Sequence, residues 1–184
     1  MISLYFGNIG SGKSTILAKL ASKAENLGYQ RTFSNVPIKG TILIKSSDLG
    51  FYDFSNSLVL LDEGGIDFNN RFYAKMPLET IQFLKLSRHY NCDIAIVSQS
   101  FDDIDITFRR LCDKLYYVWR ISKHFTSTRQ IVKSITIDED SKQIIDSYDK
   151  VRFSFRPVFM PKYWKMFDSY SAPVLPPFLH NTDF

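Results

Sequence analysis

The apolar positions of this chain alternate between short β-prone runs and longer stretches with helical spacing. Ile2-Ser3-Leu4-Tyr5-Phe6 reads as a first strand, and Ile16, Leu17, Leu20, Ala21, Ala24 and Leu27 then recur at helical spacing until Gly28 ends the pattern. Residues 30–35 predict a second strand, stopped at Val36-Pro37 because proline has no amide for a ladder and a fixed φ. Residues 41–44 suit a short extra strand, and a polar, turn-rich passage follows to residue 57. Leu58-Val59-Leu60-Leu61 is continuously apolar and closes on Asp62 and Glu63. That is the pattern of a central parallel strand, buried on both faces, whose C-terminal end opens at a ligand crevice.

Residues 64–70 read as a loop, where Gly64 and Gly65 serve either movement or a tight turn. A helix is predicted over 78–90, with Pro77 at its first turn and Ile81 and Leu84 facing inward. Residues 93–99 form the next buried strand. A helix starts near 102–105, with Ile104, Phe108 and Leu111 at i, i+4 and i+7. Residues 115–121 and 130–137 read as two further strands joined by a polar loop, and 138–140 as a turn. From about residue 155 prolines and aromatics accumulate, and no regular element is expected to last. The expected division is therefore a domain over 1–150 and a tail over 151–184 that wraps the domain or docks on a partner.

Between the first strand and the first helix lies Gly7-Asn8-Ile9-Gly10-Ser11-Gly12-Lys13-Ser14-Thr15, which fills every fixed position of the phosphate-loop pattern G-x-x-x-x-G-K-[ST]. Strand, glycine loop, helix is the context that the pattern requires. Glycine lets the backbone turn its N–H groups inward around a diphosphate, and the helix N-terminus adds the positive end of its dipole. Lys13 is placed to reach the β- and γ-phosphates of ATP, and the Ser14 hydroxyl to ligate Mg²⁺. Asp62 supplies a second oxygen for Mg²⁺, and Glu63 a base for the attacking water. Gln99 closes the neighbouring strand with a neutral amide that can both donate to and accept from that water; its other reading is a cap on the turn that follows.

Composition adds bounds. The 184 residues suffice for one domain with a real core, and a formal net charge of +4 permits acidic partners without requiring them. Cys92 and Cys112 have no ligand partners at metal spacing and read as buried thiols in a reducing compartment. No apolar run approaches the roughly 20 residues of a membrane span, and the chain enters its first strand without room for a signal peptide. The expectation is a soluble, cytoplasmic protein, at most peripheral to a membrane. Lys114, Arg120, Lys123, Arg129 and Lys133 occur between residues 114 and 137 without any Asp or Glu. With Tyr and Trp interleaved, this stretch suits a nucleic-acid strand; the other reading is core aromatics beside an ordinary solvated face.

The phosphate loop, then Thr32-Phe33-Ser34-Asn35-Val36-Pro37, Leu60-Leu61-Asp62-Glu63, and Ser87-Arg88-His89-Tyr90-Asn91-Cys92-Asp93 running on to Gln99, together resemble the Zot (zonular occludens toxin) family over roughly residues 1–150. That family includes the assembly ATPases of filamentous phages and is related to the FtsK/HerA DNA-pumping motors. The resemblance implies an α/β, three-layer P-loop NTPase of the additional-strand type, with a parallel core in the order 5-1-4-3-2 and a C-terminal β-hairpin. It further implies catalytic Glu63, sensor Gln99, and action as a homo-oligomer, such as a ring. Arg109 fits the family's Asp-x-x-apolar-Arg pattern through Asp105 and Phe108, the position of a finger acting on a neighbour's phosphates; an exposed helix arginine paired with surface carboxylates is the alternative. Two function classes stand open. One is a motor that hydrolyses ATP to extrude or package DNA during phage assembly, with phage or membrane partners; the other is a nucleotide-gated scaffold with little turnover.

Overall fold

The computed structural model describes residues 1–68, 76–137 and 144–168. Its centre is a parallel sheet made of β1 (Ile2–Phe6), β2 (Arg31–Ser34), β3 (Ile42–Leu43), β4 (Ser57–Leu61), β5 (Asp93–Ser98) and β6 (Lys114–Arg120). The spatial order is β3-β2-β4-β5-β1-β6, and every neighbouring pair in that run is parallel. Counting the five predicted core strands in sequence, this is the expected order 5-1-4-3-2, with the short β3 added outside the second. The sheet then continues antiparallel through β7 (Phe125–Ile137) and β8 (Ile144–Lys150), and β9 (Arg156–Phe159) pairs with the start of β7.

Alternation along the strands builds two cores, because successive side chains point to opposite faces. Ile2, Leu4, Val59, Leu61, Ile94 and Ile96 pack on one side. They meet α3 (Leu78–Leu86) through Phe83 and Leu84, and α4 (Ile106–Leu111) through Phe108. Leu58, Leu60, Ala95 and Val97 face the other way, onto Ile16, Leu17 and Ala18 of α1 (Lys13–Ala21). All five residues of β4 are buried, which is why that run carries no alternation in its sequence.

Several elements differ from expectation for local reasons. After Ser22 the first helix changes to i→i−3 bonding (Lys23 N to Leu20 O, Ala24 N to Ala21 O), and a 3₁₀ turn over Glu25–Leu27 carries the chain to Gly28 at φ 88°. The expected loop after Glu63 begins as a helical turn, α2 (Gly64–Asp67), closed by Phe68 N on Gly64 O at 2.8 Å. Gly64 is needed there for close approach, since a Cβ would run into the Ile96 side chain; Asn69 and Asn70 lie outside the described residues. The strand expected at 130–137 starts five residues earlier, at Phe125. Beyond residue 155 the chain forms β9 and a 3₁₀ segment over Met160–Met166, which packs Tyr163 onto the α1 side. The turn expected at 138–140 and the prolines from 173 onward lie outside the described residues. Among the described residues, no helix is long and apolar enough to cross a membrane.

Candidate functional site

β1, β5 and β4 are adjacent and parallel, so their C-terminal ends open on one edge of the sheet. That edge brings together the loop after β1, Gln99 after β5, and Asp62 and Glu63 after β4. Gly7 N donates to Ser98 O at 3.3 Å, tying the loop to the end of β5. Gly10 and Gly12 hold φ of 75° and 95°, a region open to glycine and costly to other residues. Gly12 sits at the N-cap of α1, where no side chain caps the first-turn amides. A Cβ on Gly10 would meet nothing within 4 Å, so at that position the left-handed φ is the reason for glycine.

Lys13 Nζ donates to Gly7 O at 2.6 Å and Asn8 O at 3.0 Å, which folds the ammonium across the mouth of its own loop. Burial lowers its pKa, opposed by the Asp62 and Glu63 carboxylates, so both acids lie within electrostatic reach. Ser14 Oγ donates to Asp62 Oδ2 at 3.2 Å across 48 residues of sequence. This hydroxyl and carboxylate are the hard oxygen donors that Mg²⁺ takes, and one or two such protein ligands suffice when phosphates and waters supply the others. Glu63 is exposed and sits in the left-handed region (φ 54°, ψ 42°), with its N–H bonded to Asp62 Oδ1 at 2.9 Å. A non-glycine residue there costs about 1–2 kcal/mol. Gln99 is exposed.

Two side chains that build this edge carry no warning in sequence chemistry. Asn35, just past β2, donates from Nδ2 to Asp62 O at 2.9 Å and accepts from Asp62 N at 2.7 Å. Its amide thereby continues the β2–β4 ladder by one residue beyond Ser34↔Leu60. Asn35 stands in the Thr32–Pro37 stretch, but nothing in spacing tells that its side chain would act as backbone. Thr126, fully buried on β7, donates toward Ser11 O at 2.5 Å, with Trp119 O at 3.0 Å. A Cβ on Gly12 would approach Thr126 Cβ to 2.8 Å, and one on Gly7 would run into the Val118 carbonyl. The β6–β7 hairpin is thus a wall against which the loop is held.

Arg109 sits apart from this group. Its guanidinium lies 4.5 Å from the Phe101 ring centroid and pairs with Asp102 at 3.3 Å, on the sheet face opposite α1. Asp105 caps its helix by accepting from Thr107 N and Phe108 N. Cys92 is fully buried beside Ser57, and burial pushes its thiol up to about 11.

A family model described as zonular occludens toxin (Zot) matches residues 18–171. The chain belongs to the Zot family. The Zot fold is also matched by the crystal structure of the N-terminal domain of zonular occludens toxin from Neisseria meningitidis, at 18% identity and a TM-score of 0.58, covering 91% of this chain and 98% of that one. B204, the DNA-packaging ATPase of Sulfolobus turreted icosahedral virus, matches at 11% identity and a TM-score of 0.52, covering 79% and 95%. B204 from Sulfolobus turreted icosahedral virus 2 in complex with AMPPCP matches at 12% and 0.51, again covering 79% and 95%. At these identities the likeness is one of fold, and the fold is that of the P-loop NTPases. No curated protein matches this Zot-family chain.

Proposed function

We propose that this protein binds and hydrolyses ATP with Mg²⁺, as a motor that moves DNA during phage assembly, extrusion or packaging. The observation that carries the reading is the contact of Ser14 Oγ with Asp62 Oδ2 at the mouth of a glycine loop whose Gly10 and Gly12 are both left-handed. Those oxygens and the loop amides suit Mg²⁺ and a diphosphate respectively. The described residues hold no cluster of three acidic, His or Cys side chains for a metal. The two oxygens are nonetheless the number that a nucleotide-borne Mg²⁺ asks of a protein. When bound, Mg²⁺ supplies positive charge against the phosphoryl oxygens.

The chain's own residues then have distinct tasks. The amides of residues 10–15 and the N-terminus of α1 hold the phosphates. Lys13 exchanges its contacts with Gly7 O and Asn8 O for phosphate oxygens, and the partly desolvated setting strengthens the attraction between its ammonium and those oxygens. Glu63, set off β4 by its left-handed backbone, takes the proton of the attacking water, and Gln99 orients that water from the adjoining strand. The DNA substrate and oligomeric action are supported by family membership and by the fold shared with B204, named a DNA-packaging ATPase. In an oligomer Arg109 would have to leave Asp102 to serve a neighbour's phosphates, so its role as a finger is testable by whether Arg109→Ala abolishes turnover without weakening ATP binding. Steady-state phosphate release, with and without DNA, tests the whole reading. Release that is absent from wild type would leave a nucleotide-gated scaffold as the function, and release equal in Glu63→Gln would sink the motor reading.

A further inference from the structure

The sheet runs on past β6, and there one of its faces is bare. Cross-strand partners share a face and residues alternate along each strand, so Tyr117, Trp119, Phe125, Arg129 and Phe159 line one side of β6, β7 and β9. Tyr117 meets the Phe6 ring at 5.8 Å, and Phe6 packs at the margin of the core under α3 and α4. The bare face is therefore the same face that those helices cover farther along the sheet. Among the described residues no helix continues over it. Phe125 is 41% exposed, Phe155 50% and Phe159 49%. The rings are already arranged against one another: Trp119 lies between Tyr117 (5.8 Å, 16° between planes) and Phe155 (5.6 Å, 41°), and Phe125 meets Phe159 at 5.2 Å. Rings left half open in a contiguous group are not core packing; such patches mark a surface that binds something.

Charge says what kind of ligand it is. Two segments distant in sequence build this part of the sheet, joined by the β7–β9 ladder and by Met160 N on His124 O at 2.9 Å. Residues 114–137 hold the five cations already named and no carboxylate. Residues 150–167 add Lys150, Arg152, Arg156, Lys162 and Lys165, again with no carboxylate. Since the whole chain carries only +4, the remainder is net acidic. Arg129, opposite Tyr117, and Lys150, opposite Ile131, stand on the aromatic side by register, whereas Lys114, Arg120 and Arg156 stand on the other side of the strands. At the turn into β9, Phe153 is 100% exposed and sits at φ 58°, next to exposed Arg152. A bulky ring in that backbone region is an outlier without any packing to explain it.

We propose that this face is a stacking platform for single-stranded DNA. Flat rings among cations suit a polyanion whose bases are unpaired and open to stacking, whereas a duplex hides its base faces. The choice of DNA rests on the DNA-handling function proposed above; the platform itself rests on the rings and the charge. The opposite side of the same two strands grips the phosphate loop through Thr126 and Val118, so platform and loop share β6 and β7.

The test is fluorescence anisotropy of the full chain with a labelled oligothymidylate, without nucleotide, at low and at physiological salt. Phe155→Ala and Phe159→Ala are each expected to weaken binding about tenfold, the scale of one lost base–ring stack. Arg152→Glu is expected to weaken binding and flatten its salt dependence. Phe153→Gly removes a ring while relaxing a left-handed backbone, so it is expected to lower affinity with thermal stability unchanged or raised. Unchanged affinity in the aromatic variants, or equal binding of a duplex of the same length, would overturn the platform, and equal binding of an oligouridylate would overturn the choice of DNA. A wild-type protein that hydrolyses ATP yet ignores the oligothymidylate overturns the platform and leaves the ATPase standing; one that binds it without hydrolysing ATP does the reverse.

Discussion

Replacing Asn35 by alanine deletes both hydrogen bonds that hold the main chain of Asp62, at 2.9 and 2.7 Å. A net hydrogen bond contributes about 1 kcal/mol, and groups at a part-buried site can recruit water, so the loss comes to about 2 kcal/mol. For a chain of this size, with roughly 2–4 °C per kcal/mol, Tm is expected to fall by about 4–8 °C. The functional effect is larger than the structural one. Asp62 is the residue in contact with Ser14, and the left-handed turn of Glu63 begins from it. Once β4 is freed beyond Leu60, the two oxygens proposed for Mg²⁺ no longer share a fixed spacing. Partners that orient metal ligands are worth about 10–100-fold in metal affinity. The assay is ATP hydrolysis titrated with Mg²⁺ at saturating ATP and well below Tm. Half-maximal rate should need at least about tenfold more Mg²⁺, with much of the rate restored at high Mg²⁺. Asn35→Asp keeps the acceptor for Asp62 N but loses the donor, and should fall between the two in Tm. A variant with lowered Tm and an unchanged Mg²⁺ requirement would refute the positioning role and leave Asn35 as a structural residue.

Thr126→Val leaves the Ser11 carbonyl without its buried donor, at a cost of about 1–3 kcal/mol; KM for ATP should rise more than kcat falls, and Thr126→Ser should restore it. Gly12→Ala combines a φ of 95° with crowding against Thr126, so it is expected to lower Tm and abolish nucleotide binding together, as followed by calorimetry with an ATP analogue. The Cys92 thiol should resist alkylation at pH 8 in the folded protein and react on unfolding. Because its folded pKa is raised to about 11 by burial from the ordinary 9.0, its contribution to stability is present below pH 9 and is lost as pH rises from there toward 11, which denaturant titrations across that range would detect.

What the sequence displays most openly is what periodicity and glycine chemistry encode locally. The phosphate loop and the buried β4 with its two terminal acids were legible because each rests on contiguous residues, whereas the parallel strand order came with the resemblance to the Zot family. The edge of the sheet was less so. β9 is four residues with a proline in second place, a pattern that reads as coil until β7 is there to pair with it, and β7 itself runs five residues beyond its apolar core through Phe125-Thr126-Ser127-Thr128-Arg129. Asn35 and Thr126 were invisible as site residues for a related reason. Each works through main-chain atoms of another segment, Asp62 and Ser11, and side chain to backbone contacts over long sequence distances leave no spacing to read. Gly64 shows the same limit: a glycine after two acids reads as movement or a tight turn, while the structure uses it for close approach to Ile96.

The central claim is that one site, formed by the loop at 7–15 with Asp62, Glu63 and Gln99, hydrolyses ATP. Its most direct test pairs ATP binding with phosphate release in wild type, Lys13→Ala and Glu63→Gln. The account predicts Mg²⁺-dependent release by wild type, loss of both binding and release in Lys13→Ala, and in Glu63→Gln retained binding with release reduced about 10²–10⁴-fold. Release that persists unchanged in Glu63→Gln, or tight binding by wild type with no release under any condition including added DNA, would contradict it.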